Sequence, residues 1–344
     1  MNQRNQNYDR MKVFAICSVI LLHLFLGSPY LFNNKQSYYW IAVITVYSIT
    51  RVSVPLFFMI SGALLLNKRE ITFKYSSYKI KKLIFPMVVT SVLYYIYMFR
   101  NVSGLKNDAI HMLWKPISLP HLWYLYALIG IYLLLPIHKK VVDACNQKEL
   151  ATLLVIWAIF TGANVFLKYF GNMDLGEYYG IFPTYASSYL GYFYLGYYLS
   201  KYGKTFQMKT LAVVSAVVLY LTVCLVMIEN QSIMLTDGMF SDKFLTFYSL
   251  NIILLSICIF KMFSKRKENK TEQKTGKIIQ FIANNTLIIY LFHEIVLQIL
   301  RRYLDQYMID HAAAYILVYF VTTLVVSIGA AWILKMGRMR IKKR

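Results

Sequence analysis

The stretch KVFAICSVILLHLFLGSPYLF, Lys12 to Phe32, is apolar from Val13 onward but for one histidine, His23, eleven residues after the lysine. A helix of roughly 20 apolar residues, rising ~1.5 Å per residue, is long enough to cross a bilayer core. His23 then lies roughly 16 Å from the cytoplasmic end, close to the midplane. An ionisable group at that depth costs about 3 kcal/mol or more, so such residues face a bundle interior and mark a pathway or a reaction site. The pattern recurs: Arg51 lies inside the apolar run Trp40 to Leu66, and His293 and Glu294 lie inside Ile278 to Ile299. The chain therefore reads as an enzyme or transporter embedded in a membrane.

The rest of the sequence agrees. The chain is 58% hydrophobic and 15% charged, with mean hydropathy +0.49, whereas a soluble chain is nearer a quarter charged. Membrane-length runs fall at about 13–32, 40–66, 83–99, 121–138, 150–167, 179–199, 210–228, 244–263, 278–299 and 312–334. They predict an all-α polytopic bundle of about ten transmembrane helices, forming one membrane-embedded domain over residues 1–344. An even number of spans puts both termini on one side. With the N-terminus inside, 28 of the 37 Lys and Arg lie on the cytoplasmic side and 8 on the other, Arg51 being the last. That asymmetry predicts cytoplasmic termini.

Several function classes drop out. The net charge of +22 is dispersed over loops that face anionic inner-leaflet lipid, so it predicts a bilayer partner and no nucleic acid. The first apolar stretch is long and no A-x-A cleavage site follows it, so it reads as a retained span rather than a signal peptide. Cys17, Cys145, Cys224 and Cys258 show neither disulfide nor metal spacing, and no metal is expected. No polar connection is long enough to bury a core of its own, so the chemistry belongs to helices and short loops.

Each intramembrane polar residue carries an expectation. The neutral imidazole of His23 can take a proton from an attacking hydroxyl, or itself attack an activated acyl group. Arg51 cannot deprotonate to escape burial and must face a carboxylate, a phosphate or water. Glu294 is the one carboxylate inside any expected span, hence its natural partner. Pro55 can kink the second span, and Ser61 with Gly62 permits close helix approach. Lys79, Lys81 and Lys82 form a cytoplasmic basic cluster that could clamp the phosphates of an anionic donor. At the opposite face, His121, Trp123 and Tyr124 open the fourth span. The sixth carries Tyr179, Tyr185, Tyr189, Tyr192, Tyr194, Tyr197 and Tyr198, read as an anchoring belt and packing against a smaller share of sugar stacking.

Taken together, these residues resemble the acyltransferase-3 family of bacterial membrane O-acyltransferases. Lys12 with ten residues before His23 is similar to that family's basic-x10-His element, and Phe58-Met-Ile-Ser61-Gly62 to its F-x-x-S-G element. Thr50 to Gly62, His121-Leu-Trp123 and Leu287-Ile-Ile-Tyr290-Leu-Phe-His293 resemble the branch containing the enterobacterial common antigen O-acetyltransferase. The resemblance implies a bacterial inner-membrane enzyme, with acetyl-CoA as cytoplasmic donor and a cell-surface or lipid-linked saccharide as acceptor. It implies catalytic roles for His23, Arg51, His293 and Glu294. Donor binding would fall to Lys12, Ser61, Lys79 and Lys82, and acceptor binding to His121, Trp123 and Tyr124. Lys79 and Lys82 stand where the family often has an R-x-x-R pair, and lysine loses the bidentate fork of arginine. Two rivals share the buried polar residues: a transporter of acylated or lipid-linked glycan, for which no internal repeat is found, and a non-catalytic scaffold for polysaccharide assembly.

Overall fold

The computed structural model describes residues 5–32, 38–101, 120–171, 185–234, 240–264, 276–308 and 312–342. Every regular element among the described residues is helical. Among the described residues five helical stretches are long and apolar enough to cross a membrane: 39–65, 147–171, 208–231, 243–264 and 313–336. The count rises to seven if two broken helix pairs, within 123–144 and 277–306, are each one span. The other expected runs, at 13–32, 83–99 and 179–199, are helical over most of their described residues.

The chain divides into two compact units, each discontinuous in sequence: Met1–Arg69 with Lys140–Asn284, and Glu70–Lys139 with Asn285–Arg344. The first contains α1 (Gln6–Leu26), α2 (Tyr38–Thr50), α3 (Ser53–Leu65), α7 (Gln147–Trp157), α8 (Asn164–Gly171), α9 (Tyr185–Lys201), α10 (Met208–Met234), α11 (Leu250–Ser264) and α12 (Lys277–Asn284). The second contains α4 (Phe73–Asn101), α5 (Trp123–Leu133), α13 (Thr286–Met308) and α14 (Ala312–Lys342). The boundary runs through α6 (Leu135–Ala144).

In the first unit α1 is central, packed by α2, α3, α11 and α12. It starts at Asn5, whose side-chain oxygen accepts the N–H groups of Asn7 and Tyr8 at 2.9 and 3.4 Å. It ends at Gly27, whose N–H returns to the His23 carbonyl at 3.1 Å. A capped, proline-free helix keeps its phase over the whole interval between Lys12 and His23.

The second expected span is one membrane-length stretch interrupted by a short turn between α2 and α3. The ring of Pro55 would collide with the Arg51 carbonyl one turn back in a continuous helix, so the chain breaks there. Arg51 and Val52 form a tighter turn, donating to Ser48 and Ile49 three residues back at 3.3 Å each.

Helix α3 runs alongside α9 in the same direction, Phe58 meeting Tyr189 at one end and Asn67 meeting Ser200 at the other, with no room between the backbones. A Cβ on Gly62 would overlap the Phe193 carbonyl oxygen, and one on Gly196 would overlap the Met59 backbone. Phe58 stacks on Tyr189, ring centroids 5.2 Å apart. This is the small-residue packing expected of Ser61-Gly62. Tyr189, Tyr192, Tyr194 and Tyr197 are buried in this core, so their role is packing and not an interfacial belt. Tyr179 lies outside the described residues.

In the second unit α13 packs on α14 and on α4, which also carries α5. The Tyr319 hydroxyl of α14 reaches the Asp305 carboxylate of α13 at 2.7 Å, and Ser76 of α4 donates to the Tyr132 carbonyl of α5.

Candidate functional site

His23 and Lys12 share one stripe of α1. Eleven residues at 3.6 per turn return to within about 20° of the starting direction, and the rise separates the two by about 16 Å. Both are half-buried on a helix that is otherwise largely core, with Leu22 and Leu24 closed off on either side of His23. A basic group near one end of a buried helix and an imidazole deep along the same face form a linear arrangement. An anionic molecule held at the lysine could extend its reactive end to the histidine.

Arg51 occupies the α2–α3 break, 5% exposed. Its guanidinium donates to the Tyr47 hydroxyl and the Asp242 carboxylate. It also lies 4.5 Å from the Tyr47 ring centroid and 5.6 Å from that of Phe247. The carboxylate expected for Arg51 was that of Glu294. The observed partner is Asp242, because the 241–245 segment is fastened to the end of α10 inside the same unit. Asn230 exchanges two hydrogen bonds with the Ser241 backbone at 2.8 and 2.9 Å. Glu229 accepts from the Ser241 hydroxyl and lies 3.7 Å from the Lys243 ammonium. Glu229 is itself 1% exposed and falls within a candidate span, one residue past the expected end of the seventh; Glu294 is therefore not the sole buried carboxylate. Among the described residues the Arg51 Nε is buried without a hydrogen-bond partner, leaving that donor uncommitted.

The second unit gathers residues that lie far apart in sequence. His121 and His293 stand edge to face with ring centroids 5.7 Å apart. Tyr290 joins them, its hydroxyl donating to the His121 carbonyl and its own carbonyl facing His293 Nδ1. A carbonyl only accepts, so Nδ1 carries the proton, and the lone pair of the neutral ring is on Nε2. Tyr94 and Tyr124 complete the cluster, 5.3 Å from His121 and 5.6 Å from Tyr290 between ring centroids. Half-buried Trp123 lies edge-on to Tyr124 at 6.5 Å. One residue on from His293, Glu294 is held by Arg301 at 3.2 Å and Gln298 at 3.4 Å, both on α13.

The expected donor-side lysines lie near the start of α4. Lys82 is exposed with its ammonium 4.4 Å from the Tyr78 ring centroid, and half-buried Lys79 sits 5.6 Å from that of Tyr75. Ser61 is half-buried beside the glycine that seats α9. The sequence reading missed Tyr47 and Asp242, and quoted Tyr290 in the stretch before His293 without giving it a role. Tyr47 and Tyr290 carry a local signal, one helical turn before Arg51 and His293 respectively. Asp242 carries none.

A family model described as an acyltransferase domain, that of the acyltransferase-3 family, matches residues 5–332. No curated protein and no solved structure matches the chain.

Proposed function

This chain belongs to the acyltransferase-3 family and is a membrane acyltransferase; from that premise we propose that it moves an acetyl or other short acyl group from cytoplasmic acyl-CoA to a hydroxyl of a cell-surface or lipid-linked saccharide. In this reading it sits in the bacterial inner membrane as a bundle of about ten spans with both termini in the cytoplasm. The observation that carries the proposal is the single stripe of α1 that holds Lys12 and His23 about 16 Å apart.

The reaction is an ester exchange. The acceptor hydroxyl oxygen attacks the thioester carbonyl carbon while His23 takes the hydroxyl proton. The tetrahedral intermediate collapses, the C–S bond breaks, and the thiolate leaves as the free thiol once it takes the proton back from His23. Arg51, with its charge met by Asp242, stabilises the negative charge that develops on the thioester carbonyl oxygen in the tetrahedral intermediate. His293 holds the acceptor through Nε2, the nitrogen left with a lone pair by the Tyr290 carbonyl. Glu294 fixes the end of that site through Arg301. His121, Trp123 and Tyr124 give the acceptor polar and aromatic contacts, and Lys79 and Lys82 attract the anionic donor.

The direct test has two parts. The O-acetyl signals of surface glycans, read by NMR, should disappear when the gene is deleted and return with it. Purified protein should move label from acetyl-CoA to the acceptor glycan. Unchanged glycan O-acetylation in the deletion strain, with no transfer in vitro, overturns the assignment.

A further inference from the structure

Where several helix ends of the first unit meet there is a polar cavity of about 210 Å³. The N-terminus of α1 (Asn5, Asn7, Tyr8), the end of α9 and its following loop (Ser200, Lys204), and the end of α11 (Lys261) contribute to its wall. The C-terminal end of α3 adjoins it, since Asn67 donates to the Ser200 hydroxyl at 2.8 Å. We propose that this cavity seats the phosphorylated nucleotide end of the acyl-CoA donor. The assignment rests on the reading above that acyl-CoA is the donor, and it names the place where that donor is held.

Three observations support it. The first is charge: among the described residues no carboxylate lines the cavity, and two lysines do. Lys261 is 7% exposed, an unusual position for an ammonium. It spends two donors on the Leu199 and Lys204 carbonyls, 3.2 Å each. An ammonium has three, so among the described residues one remains for an anion. The second is shape. Gly203 has no space for a Cβ because the Lys261 ammonium occupies it, so the loop after α9 is built around the buried charge. Charge-assisted bonds from such a donor to phosphate oxygens are the strong kind.

The third is length. The cavity lies at the end of α1, one turn beyond Lys12. From phosphorus to sulfur the pantetheine arm of coenzyme A has about thirteen bonds, which at the advance of an extended backbone reach roughly 15 Å. That matches the about 16 Å from Lys12 to His23 along the helix. A nucleotide seated at Asn7 and Lys261, with its diphosphate passing Lys12, delivers the thioester to His23.

The test measures binding of CoA, 3′-dephospho-CoA and pantetheine to the purified full chain, wild type and the variants Lys204→Glu and Lys261→Met. Wild type should bind CoA at least about tenfold more tightly than pantetheine. Both variants should weaken CoA about tenfold or more and leave pantetheine unchanged. Should Lys261→Met fail to yield monodisperse protein, the exposed Lys204 decides alone. If wild type binds CoA and the variants bind it equally well, the cavity assignment is wrong while the donor reading stands. If wild type binds no CoA at all, the donor reading fails and the cavity assignment with it.

Discussion

Arg51 and Asp242, 191 residues apart in the chain, form an ion pair that is buried on the arginine side and half-open on the aspartate side. Removing one partner of a fully buried pair costs roughly 3–5 kcal/mol, because the other charge is left desolvated. The Asp242 side chain is 47% exposed, which screens the pair, so Asp242→Asn should destabilise by about 1–3 kcal/mol. Thermal unfolding of the detergent-solubilised protein reads this. An unchanged midpoint would mean that water serves Arg51 as well as the carboxylate does.

The α3–α9 contact predicts a sharp contrast between glycines. Gly62→Ala and Gly196→Ala each push a methyl group into backbone that cannot swing aside, and should cost about 1–3 kcal/mol or more. Gly130, in α5, has nothing within 4 Å of its would-be Cβ. Gly130→Ala should be neutral or up to about 1 kcal/mol stabilising, as for any helical glycine. Equal yields and unfolding temperatures for all three variants would contradict the packing described.

His293 is proposed to hold the acceptor through Nε2 while Nδ1 donates to Tyr290. Asparagine at 293 can keep the bond to the Tyr290 carbonyl but does not reach the Nε2 position. His293→Asn should therefore fold normally and raise the KM for the acceptor about tenfold, leaving the KM for acetyl-CoA unchanged. Equal shifts in both constants would remove His293 from the acceptor side.

The distribution of Lys and Arg makes a prediction about sidedness. In a background without native cysteines, single cysteines at Lys74 and Lys270 should be shielded from an impermeant thiol reagent in intact cells, and one at Asn172 should label. Labelling at Lys270 from outside would invert the topology.

Much of this was legible in the sequence because helix periodicity is local. Apolar runs located helices, Pro55 marked the break at Arg51, and Gly62 marked a close approach. Lys12 and His23 share a face by spacing alone. What stayed hidden depends on contacts between distant segments. The partner of Arg51 was misassigned to Glu294 because a run-length reading weighs only carboxylates inside apolar spans. Asp242 lies in a loop, brought to Arg51 by Asn230 and Glu229 at the end of α10. The tyrosines of α9 look alike in sequence whether they line an interface or fill a core, and only the closeness of α3 separates the two. His121 and His293 were singled out one by one, while their meeting depends on how α4, α5 and α13 pack.

The central claim is that His23 handles the proton of the acceptor hydroxyl, and substitution by glutamine tests it most directly. Glutamine is polar and of similar reach, so protein level and unfolding temperature should match wild type. General-base assistance contributes typically about 10² to 10⁴ in rate, and acetyl transfer by purified His23→Gln protein should fall by that order. Transfer at near wild-type rate would make the histidine structural and contradict the mechanism.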